Sequence, residues 1–386
     1  MNTEIKPSTT KLTLNDLAVF ESLADKKILS IRQIQQLHFS KRKRNREGSG
    51  EATVENLRII AAKRMQQLER EGYIESRYCP LNSSQTKKVT RPTKLIIFTK
   101  KCQQNVKREL TKTRRVTDWE NIAAMVHQFN KPQSFDAQTE LEHHEGISET
   151  LIAIDANTNS HSTIATNFAV RTHPRHSEIR EPVAFDHTYP MIDFKSKKVV
   201  MHTTTEEGSM NPDMFWCTSH KPGVYDFFTK EFDNDTSSYK TFLKKMSLYE
   251  AYRSQRRFHA LCRHWCEAYG LPFAQIEEVK TGADGSTEKN AYFRVLVVIN
   301  SHKRDPMKRL FQLFAGTMQY PTKTFFNFTT LAQFRNDAFG PIWYNRRCFA
   351  PFEDEYNRSV KNSLPVVQNR FFAEKIPQTE PMPLFV

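Results

Sequence analysis

The chain has 386 residues, 38% of them hydrophobic, and a formal net charge of +14. A chain of this length exceeds one ordinary hydrophobic core, which predicts two domains. The sequence has no apolar run approaching the roughly 18 residues of a membrane-spanning helix, no secretory signal and no disulfide pattern among its six cysteines, so we expect a cytoplasmic protein.

The positive charge is concentrated in the N-terminal third. Residues 1–135 contain 27 of the 57 Lys and Arg residues but only 13 of the 43 Asp and Glu residues. This third therefore carries the whole net charge, and the remainder is balanced. Phosphate backbones attract such a surface through neutralisation and counterion release. The predicted partner is double-stranded DNA and not a membrane, because the basic residues lie mostly between predicted elements instead of on one amphipathic helix.

After a flexible tail over residues 1–10, the segment 11–100 predicts three helices and a hairpin. Apolar spacing predicts the helices over residues 13–24, 31–39 and 52–71. Alternating side chains predict the strands over residues 73–78 and 94–99. Gly72 is a natural terminator for the third helix. This order of elements is typical of a winged helix-turn-helix, in which the third helix enters the major groove and the wing lies along the backbone.

The residues expected to face DNA in this domain are polar or basic. They are Thr53, Asn56, Arg58, Lys63 and Gln67 on the third helix, Arg42, Lys43, Arg44 and Arg46 before it, and Lys87, Lys88 and Arg91 in the hairpin loop. Clustered charge of this kind suits phosphate contacts. The alternative interpretation is a solvated face on a winged helix that binds protein, and the KRKR segment also fits a nuclear address.

The rest of the chain predicts a second domain with an α/β or α+β core. We expect a helical linker over residues 101–137, this second domain over residues 138–346 and a meandering, Pro-containing C-terminal tail over residues 347–386. Within the second domain a helix is expected near residues 139–156, followed by poorly patterned polar sequence to about residue 205. Strands and helices then alternate.

Three features of the second domain are clear in the sequence. A strand, turn, strand and helix follow one another between residues 210 and 255. The apolar run 292–300 (YFRVLVVIN) predicts a central buried strand. Asp305-Pro306 opens a helix as its cap and first residue, and residues 323–330 predict one more strand.

Carboxylates gather at the strand pair. Residues two apart on a strand share a face, so Glu231 and Asp233 point the same way, and Asp213 lies on the preceding strand. Three carboxylates would form an oxygen-rich site of the kind that binds Mg²⁺, and Lys244 or Lys245 would add a cation. Such a site could catalyse phosphodiester hydrolysis, in which the metal and the lysine stabilise charge on the phosphate and a metal-bound water attacks. The alternative is a solvated strand end with surface ion pairs of little energetic value.

A histidine- and cysteine-containing helix offers a different candidate. His259, Cys262, His264 and Cys266 lie close together in the segment HALCRHWC. Zinc would need a second ligand pair at suitable spacing, and the sequence has none. Buried cysteines on a helix that also carries Phe258, Leu261 and Trp265 are the favoured interpretation.

The order of several motifs resembles the replication-relaxation family of plasmids and other mobile elements. The matching pieces are LEREGYIES, His144 to Glu149, Asn211-Pro212-Asp213, Glu231 to Thr236, Lys245 to Tyr249, FRVLVVINS, FNFTTL and GPIWYN. That family joins a winged helix to a degenerate PD-(D/E)XK nuclease-like domain. The resemblance therefore implies an N-terminal winged helix-turn-helix followed by a PD-(D/E)XK-like α/β domain.

Position by position, the resemblance implies a set of site residues. Glu149 would be the helix carboxylate, Asp213 the metal-binding aspartate and Glu231 the second acid. Asp233 stands where the nuclease pattern has lysine, and Lys245 would replace that lysine. Asp213, Glu231 and Asp233 are the expected ligands of Mg²⁺ or Mn²⁺.

The resulting functional hypothesis is a double-stranded-DNA-binding accessory or regulatory factor in replication, mobilisation or processing of a mobile element. Two alternatives stay open, a metal-dependent endonuclease or nickase and a transcriptional repressor. Besides DNA, the expected partner is a second copy of the chain or another protein of the element.

Overall fold

The computed structural model divides the chain into two compact units, Met1–Ile152 and Ala153–Val386. It describes residues 11–26, 28–39, 54–79, 93–112, 138–160, 164–170, 182–192, 199–221, 224–235, 238–255, 257–271, 277–281, 287–291, 293–301, 305–318, 325–361, 363 and 365–384. Helices and strands mix in both units, which confirms a fold of the α+β type. Within the described ranges, no helix is both long and apolar enough to cross a membrane.

The N-terminal unit combines helices with one small sheet. Its elements are α1 (Leu14–Lys26), β1 (Ile28–Ser30), α2 (Ile31–Ile34) continued by a π-helical turn (Gln35–Phe39), α3 (Val54–Arg70), β2 (Glu75–Cys79), β3 (Thr93–Ile97), α4 (Lys100–Lys112) and the first part of α5 (Gln138–Ser160). The sheet is antiparallel in the order β1-β3-β2. The three predicted helices and both hairpin strands are confirmed.

Helix α3 packs through one apolar stripe. The buried residues are Leu57, Ala61, Met65 and Leu68, a spacing that places them on one side of a helix. The chain leaves the helix at Gly72, whose φ of +75° is a left-handed conformation that favours glycine. The Tyr73 amide then donates to the Leu68 carbonyl at 2.9 Å, which closes the last turn.

This unit contains one element that was not predicted, and one expectation about it needs correction. The sequence pattern does not predict strand β1, because three residues between two helices are too few to show alternation. The predicted linker begins with α4, whose Cys102, Val106 and Leu110 are buried in the N-terminal core. Residues 101–112 therefore belong to this core. The remainder of the predicted linker, residues 113–137, lies outside the described residues.

The C-terminal unit is built on a mixed five-stranded sheet. The strands of the whole unit are β4 (Ala165–Val170), β5 (Val183–Ile192), β6 (Val199–Gly208), β7 (Met214–Lys221), β8 (Val224–Asp233), β9 (Glu277–Thr281), β10 (Thr287–Ala291), β11 (Phe293–Ile299) and β12 (Phe326–Thr330). The central sheet has the order β12-β11-β8-β7-β4. Strands β8, β11 and β12 are parallel, whereas β4, β7 and β8 are antiparallel neighbours.

Helices cover the sheet and add to its core. They are α6 (Tyr239–Ser254), α7 (Arg257–Tyr269), α8 (Pro306–Thr317), α9 (Leu331–Asn336), α10 (Ala350–Ser359) and α11 (Pro365–Lys375), followed by a 3-10 turn (Ile376–Gln378). The Asp305 carboxylate accepts from the Met307 amide at 2.9 Å and caps α8, as predicted. Strand β11 is buried from Arg294 to Ile299 and lies between β8 and β12, which confirms the predicted central strand.

The polar segment before residue 205 contains strands that the pattern did not predict. Strands β5 and β6 form a separate two-stranded antiparallel ribbon. Its β5 side alternates, with Val183, Phe185 and His187 buried, but the β6 side is mostly polar and exposed. Only β5 has buried residues at alternate positions, so the hydrophobic pattern of the ribbon is weak. The sequence pattern therefore did not predict these two strands.

The predicted meandering tail is wrong. Residues 347–386 include α10 and α11, and Phe349, Tyr356, Phe371 and Phe372 lie in the main hydrophobic core. Two of the prolines lie at helix starts, where their missing amide costs no hydrogen bond. Pro351 is in the first turn of α10 and Pro365 begins α11.

Candidate functional site

The exposed face of α3 carries the predicted DNA contacts that the structure describes. Asn56, Arg58, Lys63 and Gln67 are all exposed. Arg58 forms a loose ion pair with Glu55 at 3.6 Å. Gln67 accepts from Arg64 at 2.8 Å. The other predicted contacts lie outside the described residues, namely Arg42, Lys43, Arg44, Arg46, Thr53, Lys87, Lys88 and Arg91.

A buried ion pair fixes α3 on α1. Arg64 Nε donates to Asp16 Oδ1 at 2.8 Å, and Asp16 is almost fully buried. Burial raises the pKa of Asp16, but hydrogen bonds from Arg64 and Thr13 outweigh it and leave the pKa lowered. Arg64 is thereby committed to the fold, so the opposite side of α3 is the side that faces outward.

In the C-terminal unit, Asp213 lies beside the end of β8. Strands β7 and β8 are antiparallel with Met214 opposite Lys230, which brings the residue before β7 next to Glu231. Asp213 Oδ2 accepts from the Phe232 amide at 2.7 Å. The carboxylate of Asp213 is close enough to raise the pKa of Glu231. The strand pairing therefore joins these two acids.

Glu231 is the central group of this cluster. It is only 5% exposed, and its carboxylate accepts hydrogen bonds from the Lys245 ammonium and the Tyr249 hydroxyl. Lys245 and Tyr249 are four residues apart on α6 and so lie on one helical face. Burial raises the pKa of Glu231 to about 7, with Lys245 opposing the rise and Asp213 adding to it.

The neighbouring acids shift the pKa values of Lys245 and Tyr249 on α6. Burial lowers the pKa of Lys245, but the carboxylates of Glu231 and Asp213 outweigh it and raise the pKa overall. Burial and the Glu231 carboxylate raise the pKa of Tyr249. The Lys245 side chain is still 38% exposed, so the cluster reaches solvent through it. Of the two candidate lysines, Lys245 joins this cluster, and Lys244 pairs with Glu206 on β6.

Asp233 is committed to a different partner. Arg309, buried on α8, donates to its two oxygens at 2.8 and 3.3 Å. Asp235 lies 3.4 Å from the same guanidinium and also accepts from Ser301 at 2.9 Å. Asp235 has a φ of +54°, a conformation that Asp adopts more readily than most residues. Asp233 at the end of β8 and Asp235 just after it therefore form a buried ion cluster with Arg309.

The predicted three-carboxylate metal site does not fit this arrangement. Asp233 uses both oxygens on Arg309, and no cluster of three or more His, Cys, Asp or Glu side chains within the described ranges is arranged to hold a metal ion. Asp213 and Glu231 remain next to each other across the strand pair, and both Glu231 oxygens already accept hydrogen bonds, from Lys245 and Tyr249. Mg²⁺ in enzymes is commonly held by one or two carboxylates with substrate phosphates as further ligands. The residues present therefore fit a divalent ion only if it has two carboxylate ligands, from Asp213 and Glu231, and takes its other ligands from the substrate.

Glu149 lies in the N-terminal unit. Its oxygens accept from Arg32 at 2.9 Å and from Gln33 at 2.7 Å. Gln33 also completes the capping box of α2 with Ser30. The carboxylate therefore joins α5 to α2, and this contact is a structural one. The role that the resemblance implies for Glu149 stays a prediction.

The cysteines are core residues, as the sequence favoured. Cys262 and Cys266 are buried on α7 beside Phe258, Leu261 and Trp265. Burial raises the pKa of Cys266 to about 12 and that of Cys262 well above its usual range. Thiols held in the neutral form are poor metal ligands and poor nucleophiles.

Sequence reasoning missed Tyr249 and Arg309 as members of these clusters. Tyr249 looks like one of several aromatic core residues on α6, and its hydroxyl partner becomes visible only in the structure. Arg309 gives a weak signal. It lies four residues before Leu313, on the apolar side of a helix that buries Leu310, Leu313 and Phe314. A charged residue in such a stripe indicates a buried ion pair.

The two units define a class of α+β protein that combines a basic helical unit with a unit carrying a buried carboxylate–lysine–tyrosine cluster. The sequence profile of the replication-relaxation family matches residues 20–261. The chain belongs to this family, which confirms the resemblance. Neither curated proteins nor solved structures gave a match.

Proposed function

We propose that the protein is a double-stranded-DNA-binding factor that acts in replication or mobilisation of a plasmid or other mobile element. The observation that carries the proposal is the exposed polar face of α3. It belongs to the third of the chain that holds the whole net charge of +14. Family membership supports the setting.

The architecture of the N-terminal unit supports a winged helix as the docking element. Three helices are followed by the hairpin strands β2 and β3, and β1 completes the sheet. In a winged helix the third helix enters the major groove. Here that helix is α3, and its buried stripe leaves Asn56 and Lys63 on the exposed side.

The salt dependence of DNA binding tests this proposal. Replacing Arg42, Lys43, Arg44 and Arg46 by glutamine is expected to weaken binding to every duplex. The slope of log K against log salt should fall by about 0.9 for each phosphate that the variant no longer neutralises. Fluorescence anisotropy across a salt series measures both quantities.

The matched control neutralises four exposed basic residues of the other unit, Lys308, Arg335, Arg358 and Arg370. It should leave the slope unchanged. Equal weakening of binding in the two variants would show that the N-terminal unit is not the contact surface. Absence of duplex binding by the unaltered protein would overturn the proposed function.

A second candidate function is a divalent-metal-dependent endonuclease or nickase, favoured by the meeting of Asp213, Glu231 and Lys245. In this proposal the C-terminal unit has a PD-(D/E)XK-like core, and Asp213 with Glu231 would hold Mg²⁺ or Mn²⁺. The ion would supply charge neutralisation at the scissile phosphate. Lys245 would bring a second positive charge, and Tyr249 would hold one Glu231 oxygen in place.

Supercoiled plasmid incubated with Mg²⁺ or Mn²⁺ tests this candidate. Nicking or linearisation is expected from the unaltered protein and should disappear in Asp213→Asn, whose amide oxygen can still accept from Phe232. Asp186→Asn, at an exposed position on β5, is the control. Cleavage that persists in both Asp213→Asn and Glu231→Gln would remove this site from the reaction. No cleavage by the unaltered protein would eliminate the second candidate and leave the DNA-binding proposal intact.

A further inference from the structure

One aliphatic side chain, Ile59, lies at the centre of the exposed face of α3. With about 100° between successive residues, Ile59 falls opposite the buried stripe of Leu57, Ala61, Met65 and Leu68. Its side chain is 44% exposed. The residue is in the second turn of the helix, in the N-terminal half that contacts base edges in helix-turn-helix complexes.

The neighbours of Ile59 on this face are short or polar. Ala62 is one turn further along, Lys63 lies four residues on and Asn56 three residues before, and all three are exposed. A helix that docks in a protein groove presents apolar anchors at successive turns. Here the positions after Ile59 are Ala62, Lys63 and Gln66, so the apolar contact area is a small one. The positive charge of this unit also favours DNA over a protein groove.

The chemistry of this face matches one pair of bases. In the major groove, thymine presents a 5-methyl group that apolar side chains contact, and adenine presents the acceptor and donor that asparagine matches. An exposed aliphatic side chain next to an asparagine therefore complements adjacent A·T pairs.

Resting on the proposed function, we propose that α3 selects A·T base pairs and that Ile59 reads the thymine 5-methyl group, with Ala62 beside it. Asn56 donates and accepts at adenine on the same face. Lys63 contacts the phosphate backbone and sets affinity without adding sequence information.

The experiment removes the methyl group from the DNA and its partner from the protein. Full-length protein is first used to select binding duplexes from a random library. Each thymine of the selected site is then replaced by uracil, which lacks only the 5-methyl group. We expect at least one position where uracil weakens binding by roughly fourfold, the change that burial of one methyl-sized group gives. Ile59→Ala should bind the thymine duplex with the same reduction in affinity and should not distinguish thymine from uracil.

Val367→Ala is the control, because Val367 has the same 44% exposure and lies on α11 of the other unit. It should keep the discrimination, as should Ile59→Val. Equal uracil penalties in the unaltered protein and Ile59→Ala, or no uracil penalty at all, would overturn the inference while leaving DNA binding in place. If no duplex is bound, the proposed function fails and the inference fails with it.

Discussion

Replacing Arg309 by leucine is expected to destabilise the C-terminal unit by about 3–5 kcal/mol. Arg309 is 2% exposed, donates twice to Asp233 and lies 3.4 Å from Asp235. Removing the guanidinium leaves two buried carboxylates without their cation, and the cost of uncompensated buried charge exceeds the net value of the original pair. Urea unfolding measures the change. The buried Trp216, Trp265 and Trp343 of this unit provide the fluorescence signal.

Two comparisons separate charge from packing in the Arg309 prediction. Lys308→Leu, at the exposed neighbouring position on α8, should change stability by less than about 0.5 kcal/mol. Adding Asp233→Asn and Asp235→Asn to Arg309→Leu should restore most of the stability, because no charge then remains buried. Asn also tolerates the positive φ at position 235. If Arg309→Leu costs less than about 1 kcal/mol, the cluster does not hold the end of β8.

The same cluster explains part of what the sequence can and cannot predict. The sequence places Glu231 and Asp233 on the same face of β8, because side chains two residues apart on any strand point the same way. The strand period says nothing about the helices above the sheet. Helix α6 brings Lys245 to Glu231, whereas α8 brings Arg309 to Asp233. Two acids on one face therefore have separate partners, and the pairing depends on helix packing that no local pattern contains.

Fold prediction succeeds where periodicity is strong and fails where the chain context decides. Helix α3 has a clear apolar stripe and a glycine just after its end, and β11 contains an uninterrupted apolar run from Val295 to Ile299. Strand β1 has only three residues and exists through pairing with β3, which is distant in sequence. Prolines in the last 40 residues look like coil signals, but two of them, Pro351 and Pro365, occupy helix starts. A proline can indicate either coil or the first turn of a helix, and the sequence alone does not show which of the two applies.

The burial of Glu231 also couples the stability of the C-terminal unit to pH. Its pKa in the folded protein is about 7, well above the value near 4.3 of an unfolded chain. The native state therefore holds this proton more tightly than the unfolded state does. The resulting stabilisation is fully present below about pH 4 and is lost as the pH rises through 7. A shift of this size corresponds to roughly 3–4 kcal/mol.

Glu231→Gln is expected to remove this pH dependence, since glutamine does not ionise. The free energy of unfolding should fall between pH 5 and pH 8 more steeply in the unaltered protein than in Glu231→Gln, and the difference between the two curves isolates Glu231 from other titrating groups. Urea unfolding at pH 5, 6, 7 and 8 measures the difference. Glu207→Gln, at an exposed position on β6, should give a curve parallel to that of the unaltered protein.

Lys245 provides a second check on the same coupling. Its ammonium opposes the rise in the pKa of Glu231, so Lys245→Met should raise that pKa further and move the fall in stability to higher pH. The double variant Lys245→Met/Glu231→Gln should not show the shift, because the titrating carboxyl is gone. Parallel curves for the unaltered protein and Glu231→Gln would mean that Glu231 is ionised throughout this range. The Lys245 and Tyr249 contacts would then stabilise the carboxylate strongly enough to overcome its burial.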